Sequence, residues 1–386
     1  MNYILLISLI GIFILILLLS KEYKINYIAT FLLTIIIIYF IAFPNLIIDS
    51  AKNGAILFFN NLFPTLFPFL IVTELLIHYG GVNIYSKLIG PFLCKPLKLP
   101  KQCSFTLVVS FLCGYPLGAK YSCHLYEENL IETSTFRRLL NIASNGSPLF
   151  IIGSVSTSML NLPSAGIYLL LSNYISCILM AFILKPTDSK IIQVKDSSFK
   201  TDNFGSILKI SLDNSLSTAL SVGSYIIMFS ILISILKNTY MFQCIINFLC
   251  NILFFLPKEA VKGLTLGMFE MTNGCYILSS ASISLKLKLS MISFLCAFSG
   301  LSIICQIHSF VYKFKDISIA RYIFRKFIQG ILSFLLTYCT LSLVSLDVYT
   351  MNSSMCTPYW VAFLPILILI ILSIILSKLF NLFHMS

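Results

Sequence analysis

The sequence predicts an all-α polytopic membrane protein, and its composition is the first observation behind that prediction. Of the 386 residues, 58% are apolar and 10% are charged, and the mean hydropathy is +0.95. Soluble domains carry about 25% charged residues. These values exclude a soluble globular enzyme, a disordered regulator and a nucleic-acid-binding module. The net charge of +12 suits contact with anionic lipid headgroups.

The second observation is a series of apolar runs long enough to cross a bilayer, which needs about 20 residues. We expect about nine transmembrane helices, with the N-terminus outside and the C-terminus in the cytosol, because this arrangement places most Lys and Arg residues on the cytosolic side. The run at 141–160 is a weaker candidate, since Asn145-Gly146-Ser147-Pro148 interrupts it. The expected crossings are 3–19, 25–43, 54–77, 141–160, 162–184, 216–236, 289–311, 327–346 and 360–376.

Two further apolar stretches are interrupted and predict re-entrant hairpins. The stretch 105–119 is short and contains Gly and Pro, and 263–285 carries Glu270 near its middle. Broken helices of this kind are tolerated in a membrane where they are buried in protein or line a cavity. A full crossing at 263–285 remains the alternative. A third stretch, 245–256, is too short to cross.

The third observation is an internal repeat. Both halves contain, in the same order, a crossing, a short amphipathic piece ending in Leu-Pro-Lys, an interrupted stretch and a closing element. On the expected topology the first repeat enters from outside and the second from the cytosol, so the repeats are inverted, as in many secondary transporters. The expected organisation is two N-terminal helices at 1–48, a first repeat with its following helix at 49–184, a cytosolic linker at 185–204, a second repeat at 205–312, and a loop with two helices at 313–386.

The run from Gly114 to Lys120 is the most distinctive candidate binding site. Gly and Pro break the helix and bare backbone groups, and a helix that restarts after the break directs its positive N-terminal end at an anion. A helix kink with a surface lysine is the alternative. Asn145 and Ser147 add hydrogen-bonding groups. From the first break we take as candidates Gly114, Tyr115, Pro116, Gly118, Ala119 and Lys120.

Glu270 is the main candidate for an ion-coupling or gating carboxyl, because charged residues inside membrane segments usually face a cavity. A protonated or locally paired carboxyl is the alternative. Glu74 lies nearer the end of a span and is a second candidate of the same kind. The second repeat adds the candidate substrate-binding residues Thr272, Asn273, Gly300 and Gln306.

Catalytic and metal sites have no support in the sequence. The four His residues are scattered, the twelve Cys follow no C-x-x-C spacing, and no G-x-S-x-G, P-loop or paired-carboxylate motif is present. We therefore expect no enzyme activity, no metal and no cofactor. Arg137-Arg138 and the basic run 313–326 are interpreted as charges at the cytosolic surface.

A family resemblance emerges from these motifs. The segments 67–76, Gly114 to Lys120 and 145–150 resemble the YlbJ-type sporulation integral membrane proteins, which belong to the wider nucleoside-recognition or Gate-domain group. Segments 270–274 and 299–302 resemble the second Gate-like repeat of that family. The resemblance covers about residues 45–345, and the Gly-Tyr-Pro-x-Gly-Ala-Lys run is its most specific part.

The resemblance implies a protein of endospore formation, located in the outer forespore membrane of the mother cell. It further implies transport of dipicolinic acid towards the forespore, with consequences for the spore cortex. We expect a small dianionic solute between the two breaks, with Lys120 as its cation and Asn145 and Ser147 as donors. The alternatives are transport of a nucleoside or cortex precursor, and a membrane scaffold without transport. Expected partners are dipicolinate, membrane lipids and copies of this chain or other sporulation membrane proteins; nucleic acid is not expected.

Overall fold

The computed structural model describes residues 24–184 and 203–343, together with Ile371. The crossings expected at 3–19 and 360–376, and nearly all of the expected linker at 185–204, lie outside the described residues. Within them, every regular element is a helix. This confirms the all-helical class.

The first part of the chain contains an N-terminal pair of helices followed by the helices of the first repeat. Their bounds are α1 Lys24–Ala42, α2 Pro44–Leu57, a π-helical turn π1 Phe58–Leu62, α3 Phe63–His78, α4 Gly81–Leu88, α5 Gly90–Leu93, α6 Cys103–Cys113, α7 Leu117–Glu127, α8 Thr133–Ile142, a π-helix π2 Leu149–Met159, and α9 Ala165–Ile183.

The second part repeats this order of elements. Its helices are α10 Phe204–Lys237, α11 Tyr240–Ile252, α12 Lys258–Phe269, α13 Met271–Ser280, α14 Leu285–Phe298, α15 Gly300–Val311 and α16 Ile319–Leu343. A long helix (α3 or α10) is followed by an amphipathic helix (α4 or α11), a helix pair (α6–α7 or α12–α13), a broken helix (α8–π2 or α14–α15) and a final helix (α9 or α16).

The expected re-entrant hairpin in the second half is an antiparallel helix pair, α12–α13. A Cβ on Gly274 would lie 2.2 Å from the Gly267 Cα, and one on Gly263 would meet Leu278 at 3.0 Å. Contact partners therefore advance in opposite directions along the two helices. The chain turns back at Glu270, so this segment does not run straight through the fold.

The hairpin α6–α7 in the first half is packed just as tightly. A Cβ on Gly118 would lie 2.8 Å from the Ser110 Cβ and only 1.8 Å from the carbonyl oxygen of Ala143. The turn between the helices contains Gly114 at φ +80°, a left-handed conformation that glycine adopts without steric cost. The glycine at 118 is therefore required for packing of the hairpin on the end of α8.

The two repeats interlock reciprocally. Helix α7 of the first repeat packs on α15 of the second, and α13 of the second packs on π2 of the first. Likewise α9 packs on α14, α16 packs on α8, and the final helices α9 and α16 pack on each other. Such an exchange of equivalent contacts is the mark of a two-fold relation between the halves.

Seven of the nine expected crossings fall within the described residues, and four to six candidate spans are found there. Four stretches in the described residues are long and apolar enough to cross a membrane: α9, α10, α14–α15 as one span, and α16. Two bent pairs raise the number to six: 29–42 with 44–60, bent by 100°, and 66–78 with 81–88, bent by 84°. The count of nine is not confirmed.

The crossing expected at 54–77 has different bounds in the structure. It is part of a helical stretch that starts at Pro44 and passes through π1 into α3. Pro64 follows π1 by two residues, and its ring would clash with the carbonyl oxygen of residue 60 in a regular α-helix. The wider π turn avoids that clash.

Candidate functional site

A cavity lies between the two repeats. It holds about 950 Å³ of space, part of it open to the outside. Both repeats contribute to its wall, which is mainly apolar with a few polar groups, as is usual for small-molecule sites. The lining residues are Leu57, Leu62, Leu66, Phe69, Leu112, Cys113, Tyr115, Pro116, Ser147, Leu149, Phe150, Ser154, Val222, Ile226, Glu270, Met271, Thr272, Ser302, Ile303 and Gln306.

Four helices begin at this cavity. Pro116 precedes α7, Leu149 begins π2, Met271 begins α13, and Ser302 lies in the first turn of α15. Each helix N-terminus has unsatisfied backbone N–H groups and a partial charge of about +0.5. The four ends together supply about +2 to the cavity on that basis.

Glu270 is the charged residue in the lining. It caps α13: its carboxylate accepts hydrogen bonds from the backbone N–H groups of Thr272 (2.9 Å) and Asn273 (2.7 Å) and from the Asn273 side chain (3.0 Å). Among the residues that the structure describes, neither Lys nor Arg lines the cavity. The partial charges of the four helix ends, about +2 together, exceed the single negative charge of the Glu270 carboxylate, which leaves a balance of about +1 at the cavity.

The tips of the two hairpins meet at the cavity. The Tyr115 hydroxyl lies 2.8 Å from the sulfur of Met271, and the Tyr115 N–H donates to the Asn145 carbonyl oxygen at 2.8 Å. On the other side, a Cβ on Gly300 would meet the Gly267 carbonyl oxygen at 3.0 Å. Each hairpin tip thus packs against the break in the broken helix of its own repeat.

The structure brings together part of the set of residues predicted from the sequence. Tyr115, Pro116, Ser147, Thr272 and Gln306 line the cavity together with the predicted carboxyl of Glu270. The remaining candidates lie outside its lining: Gly114, Gly118, Ala119, Lys120, Asn145, Asn273, Gly300 and Glu74. Several of these pack directly behind it, where they hold the breaks in place.

Lys120 and Glu74 form an ion pair with each other. The Lys120 Nζ lies 2.6 Å from Glu74 Oε1 and 3.1 Å from the Thr218 hydroxyl. The Tyr121 hydroxyl lies 3.5 Å from the same carboxylate oxygen and 2.8 Å from Thr73. This network joins α3, α7 and α10 behind the cavity, so the positive charge expected to hold an anion is neutralised within the chain.

Sequence reasoning missed a second polar network, which holds the break in the first broken helix. The Lys326 Nζ donates to the Ser144 carbonyl oxygen (2.5 Å) and to Gln329 Oε1 (2.8 Å). Gln329 Nε2 donates to Asn145 Oδ1 (3.1 Å), and the Tyr322 hydroxyl donates to the Ser144 hydroxyl (2.8 Å). The break therefore rests on three side chains of α16, in the opposite repeat.

Two basic residues interpreted as surface charges are buried. Lys326 is fully buried, and Arg138 donates to the carbonyl oxygens of Lys98 (2.9 Å) and Ala181 (2.5 Å). The interpretation as surface charges is wrong for these two. The spacing of polar residues in α16 contained the signal: one helical face carries Tyr322, Lys326, Gln329, Ser333 and Thr337, all of them buried.

Comparison with known proteins agrees with the resemblance inferred from the sequence. Residues 59–184, from π1 to the end of α9, match the family Gate, described as nucleoside recognition. The chain is 29% identical over 314 residues to the sporulation integral membrane protein YlbJ of Bacillus subtilis (strain 168). That alignment covers 75% of this chain and 76% of the relative. No solved structure matches the chain.

Proposed function

We propose that this integral membrane protein, which contains a Gate domain and resembles a sporulation integral membrane protein, is a secondary transporter of dipicolinate. Its site of action would be the outer forespore membrane during endospore formation, with the solute moving from the mother cell towards the forespore. The proposal assigns the chain no enzymatic step.

The observation that carries the proposal is the cavity between two interlocked repeats, reached by four helix N-termini. Broken helices that direct their N-terminal ends at an anionic group are the usual substrate site of secondary transporters with inverted repeats. Because the tips of both hairpins touch at Tyr115 and Met271, a movement of one repeat against the other would open or close the cavity.

The chemistry of the wall suits a flat aromatic dicarboxylate. Apolar residues such as Leu66, Phe150 and Ile303 offer contact to a ring, and Ser147 and Thr272 offer hydroxyl donors to carboxylate oxygens. The helix ends contribute about +2, which balances a dianion when a bound cation offsets the charge of the Glu270 carboxylate. In this proposal the helix ends take over the role expected of Lys120.

Glu270 would then couple transport to a cation. A cation bound at its carboxylate offsets the negative charge, so the solute dianion and the cation favour each other's binding. Glu270→Gln removes this negative charge, and we expect dipicolinate to bind more tightly to this variant. Glu132→Gln is the control, because Glu132 lies outside the cavity lining and should leave the wild-type affinity unchanged. An unchanged dipicolinate affinity in Glu270→Gln would remove the coupling role.

Uptake into proteoliposomes tests the transport itself. Ser154→Phe fills the cavity from π2, whereas Ser158→Phe adds the same ring on the exposed face of the same helix. We expect labelled dipicolinate to accumulate with wild-type protein and with Ser158→Phe, and to stay at the level of empty liposomes with Ser154→Phe. Equal uptake by all three proteins, or none by any, would contradict transport through this cavity.

A nucleoside is the second candidate solute. The described part of the cavity lining contains no Lys or Arg, and this, together with the nucleoside-recognition description of the matched family, favours an uncharged solute with a flat ring. The same liposomes distinguish the candidates, because saturable uptake of a labelled nucleoside that dipicolinate does not inhibit would replace the first proposal. Absence of uptake for either solute would favour the scaffold alternative.

A further inference from the structure

A second, smaller pocket lies away from the cavity, at the junction of α8, the loop after α15 and the first turns of α16. It holds about 320 Å³ of space, counting the part open to the outside. Its wall is polar and rich in arginine. The lining residues are Arg137, Leu140, Asn141, Asp316, Ile317, Ser318, Arg321, Tyr322 and Arg325.

The three arginines of this pocket are not neutralised within the described residues. Arg321 and Arg325 lie one turn apart on α16 and form no hydrogen bond or ion pair through their side chains there. Arg137 on α8 donates from Nε to the backbone oxygen of Asp316 at 3.1 Å. Arg137, Arg321 and Arg325 all line the wall of this one pocket.

The charge balance of the pocket calls for an anion. Three guanidinium groups face one carboxylate, that of Asp316, which is exposed and forms no ion pair with any of them. Like charges held together at a partly buried site are unfavourable unless an opposite charge joins them. Guanidinium groups match phosphate oxygens in pairs, so several can share one phosphate group.

A buried acceptor points to a ligand that also carries a hydroxyl group. Asn141 is almost fully buried at the pocket wall, and its Oδ1 has no hydrogen-bond partner. Its Nδ2 already donates to the Arg137 carbonyl oxygen at 2.8 Å. A buried amide oxygen without a donor costs free energy, and a P–OH or headgroup hydroxyl would supply that donor.

We propose that this pocket is a phosphate-binding site. Its arginines hold the phosphate oxygens, and Asn141 accepts from a hydroxyl group of the ligand. The phosphate comes from an anionic lipid headgroup or from a soluble phosphate, which present the same chemistry. The position favours the headgroup, because the pocket surrounds the N-terminal end of α16, a candidate membrane span, and basic pockets between membrane helices bind such headgroups.

The site also touches the network that holds the first break. Tyr322 lines the pocket and donates to the Ser144 hydroxyl, and Asn141, at the end of α8, lies three residues before Ser144 in the chain. A bound phosphate would therefore stabilise α8 and α16 against each other next to the break. The binding proposal stands whether or not the cavity transports dipicolinate.

Lipid retention by the purified full-length chain tests the proposal. Phosphatidylglycerol and phosphatidylcholine are offered in detergent micelles, and retained lipid is counted by native mass spectrometry. We expect wild-type protein to retain phosphatidylglycerol over phosphatidylcholine, and Arg321→Gln/Arg325→Gln to bind it at least about tenfold more weakly, as for loss of a charge-assisted hydrogen bond. The control Lys95→Gln/Lys101→Gln removes the same charge from exposed positions and should bind like wild type.

A second arm identifies the source of the phosphate. The thermal unfolding midpoint of the protein is measured in inorganic phosphate and, as the reference, in a chloride buffer without sulfate; phosphate binding should raise it. A rise in wild type that is lost in the arginine variant, without preferential retention of phosphatidylglycerol, assigns the site to soluble phosphate. Equal lipid retention and equal thermal midpoints in wild type and variant would overturn the proposal. Arg321→Gln alone, at an exposed position, keeps the test valid if the double variant does not fold.

Discussion

The ion pair between Lys120 and Glu74 makes a quantitative prediction about the most distinctive motif of the sequence. At 2.6 Å and an effective dielectric constant of about 20, the direct attraction is about 6 kcal/mol. Removing these charges from water and fixing the lysine side chain offset most of it. The side chains are 20% and 9% exposed, so solvent screens the pair only in part. We expect a net coupling energy of about 2–3 kcal/mol, at the upper end for residues in direct contact.

A double-mutant cycle measures this coupling. Lys120→Met leaves the buried carboxylate without its cation and should cost about 3 kcal/mol, while adding Glu74→Gln should recover most of that loss. The assay is unfolding by SDS in mixed micelles, followed by circular dichroism. Lys209→Met, at an exposed position whose side chain forms no hydrogen bond or ion pair within the described residues, should stay within about 0.5 kcal/mol of wild type.

Transport by the double variant separates the two roles considered for Lys120. If the lysine only neutralises Glu74, the Lys120→Met/Glu74→Gln protein should take up dipicolinate, because neither side chain lines the cavity. A coupling energy below about 0.5 kcal/mol would refute the structural pairing. A stable double variant without uptake would return Lys120 to the substrate site.

Two further predictions concern the packing of the breaks. Gly118→Ala should lower the yield of folded protein and reduce the free energy of unfolding by more than about 3 kcal/mol, because its Cβ would lie 1.8 Å from the Ala143 carbonyl oxygen. Gly153→Ala is the control, since the nearest atom to its Cβ would be 3.7 Å away. Equal yields of the two variants would contradict the packing of this hairpin. In the folded protein, buried Lys326 should not react with an amine-reactive label, whereas exposed Lys315 should react. Peptide mass spectrometry before and after unfolding measures the labelling of each residue. Equal labelling of the two lysines in the folded protein would contradict the burial of Lys326.

Much of the architecture was predictable because membrane segments follow simple rules of length and composition. Apolar runs identified the spans α9, α10 and α16, and glycine or a central carboxyl located both hairpins. The order of elements in the two halves was also visible. The number of crossings was not, because helices bent by 84° and 100° carry the same apolar composition as straight ones.

The site was predictable only in its backbone. Breaks at Tyr115, Ser147 and Glu270 follow from local sequence, and all three residues line the cavity. Side-chain partners that are distant in the sequence could not be predicted, because no local pattern near Lys120 indicates that it pairs with Glu74, 46 residues away. Lys326 looked like a surface charge because its neighbours in the chain are basic, yet its partner Ser144 lies 182 residues away.

The most direct test of the central claim uses sporulating cells in which the chain is replaced by Ser154→Phe. Dipicolinate is measured separately in the mother cell and the forespore, with protein level as the internal control and Ser158→Phe as the matched variant. Our account predicts a normal amount of Ser154→Phe protein, dipicolinate stranded in the mother cell, and normal delivery by Ser158→Phe. Normal forespore dipicolinate with the cavity filled would contradict transport through this cavity.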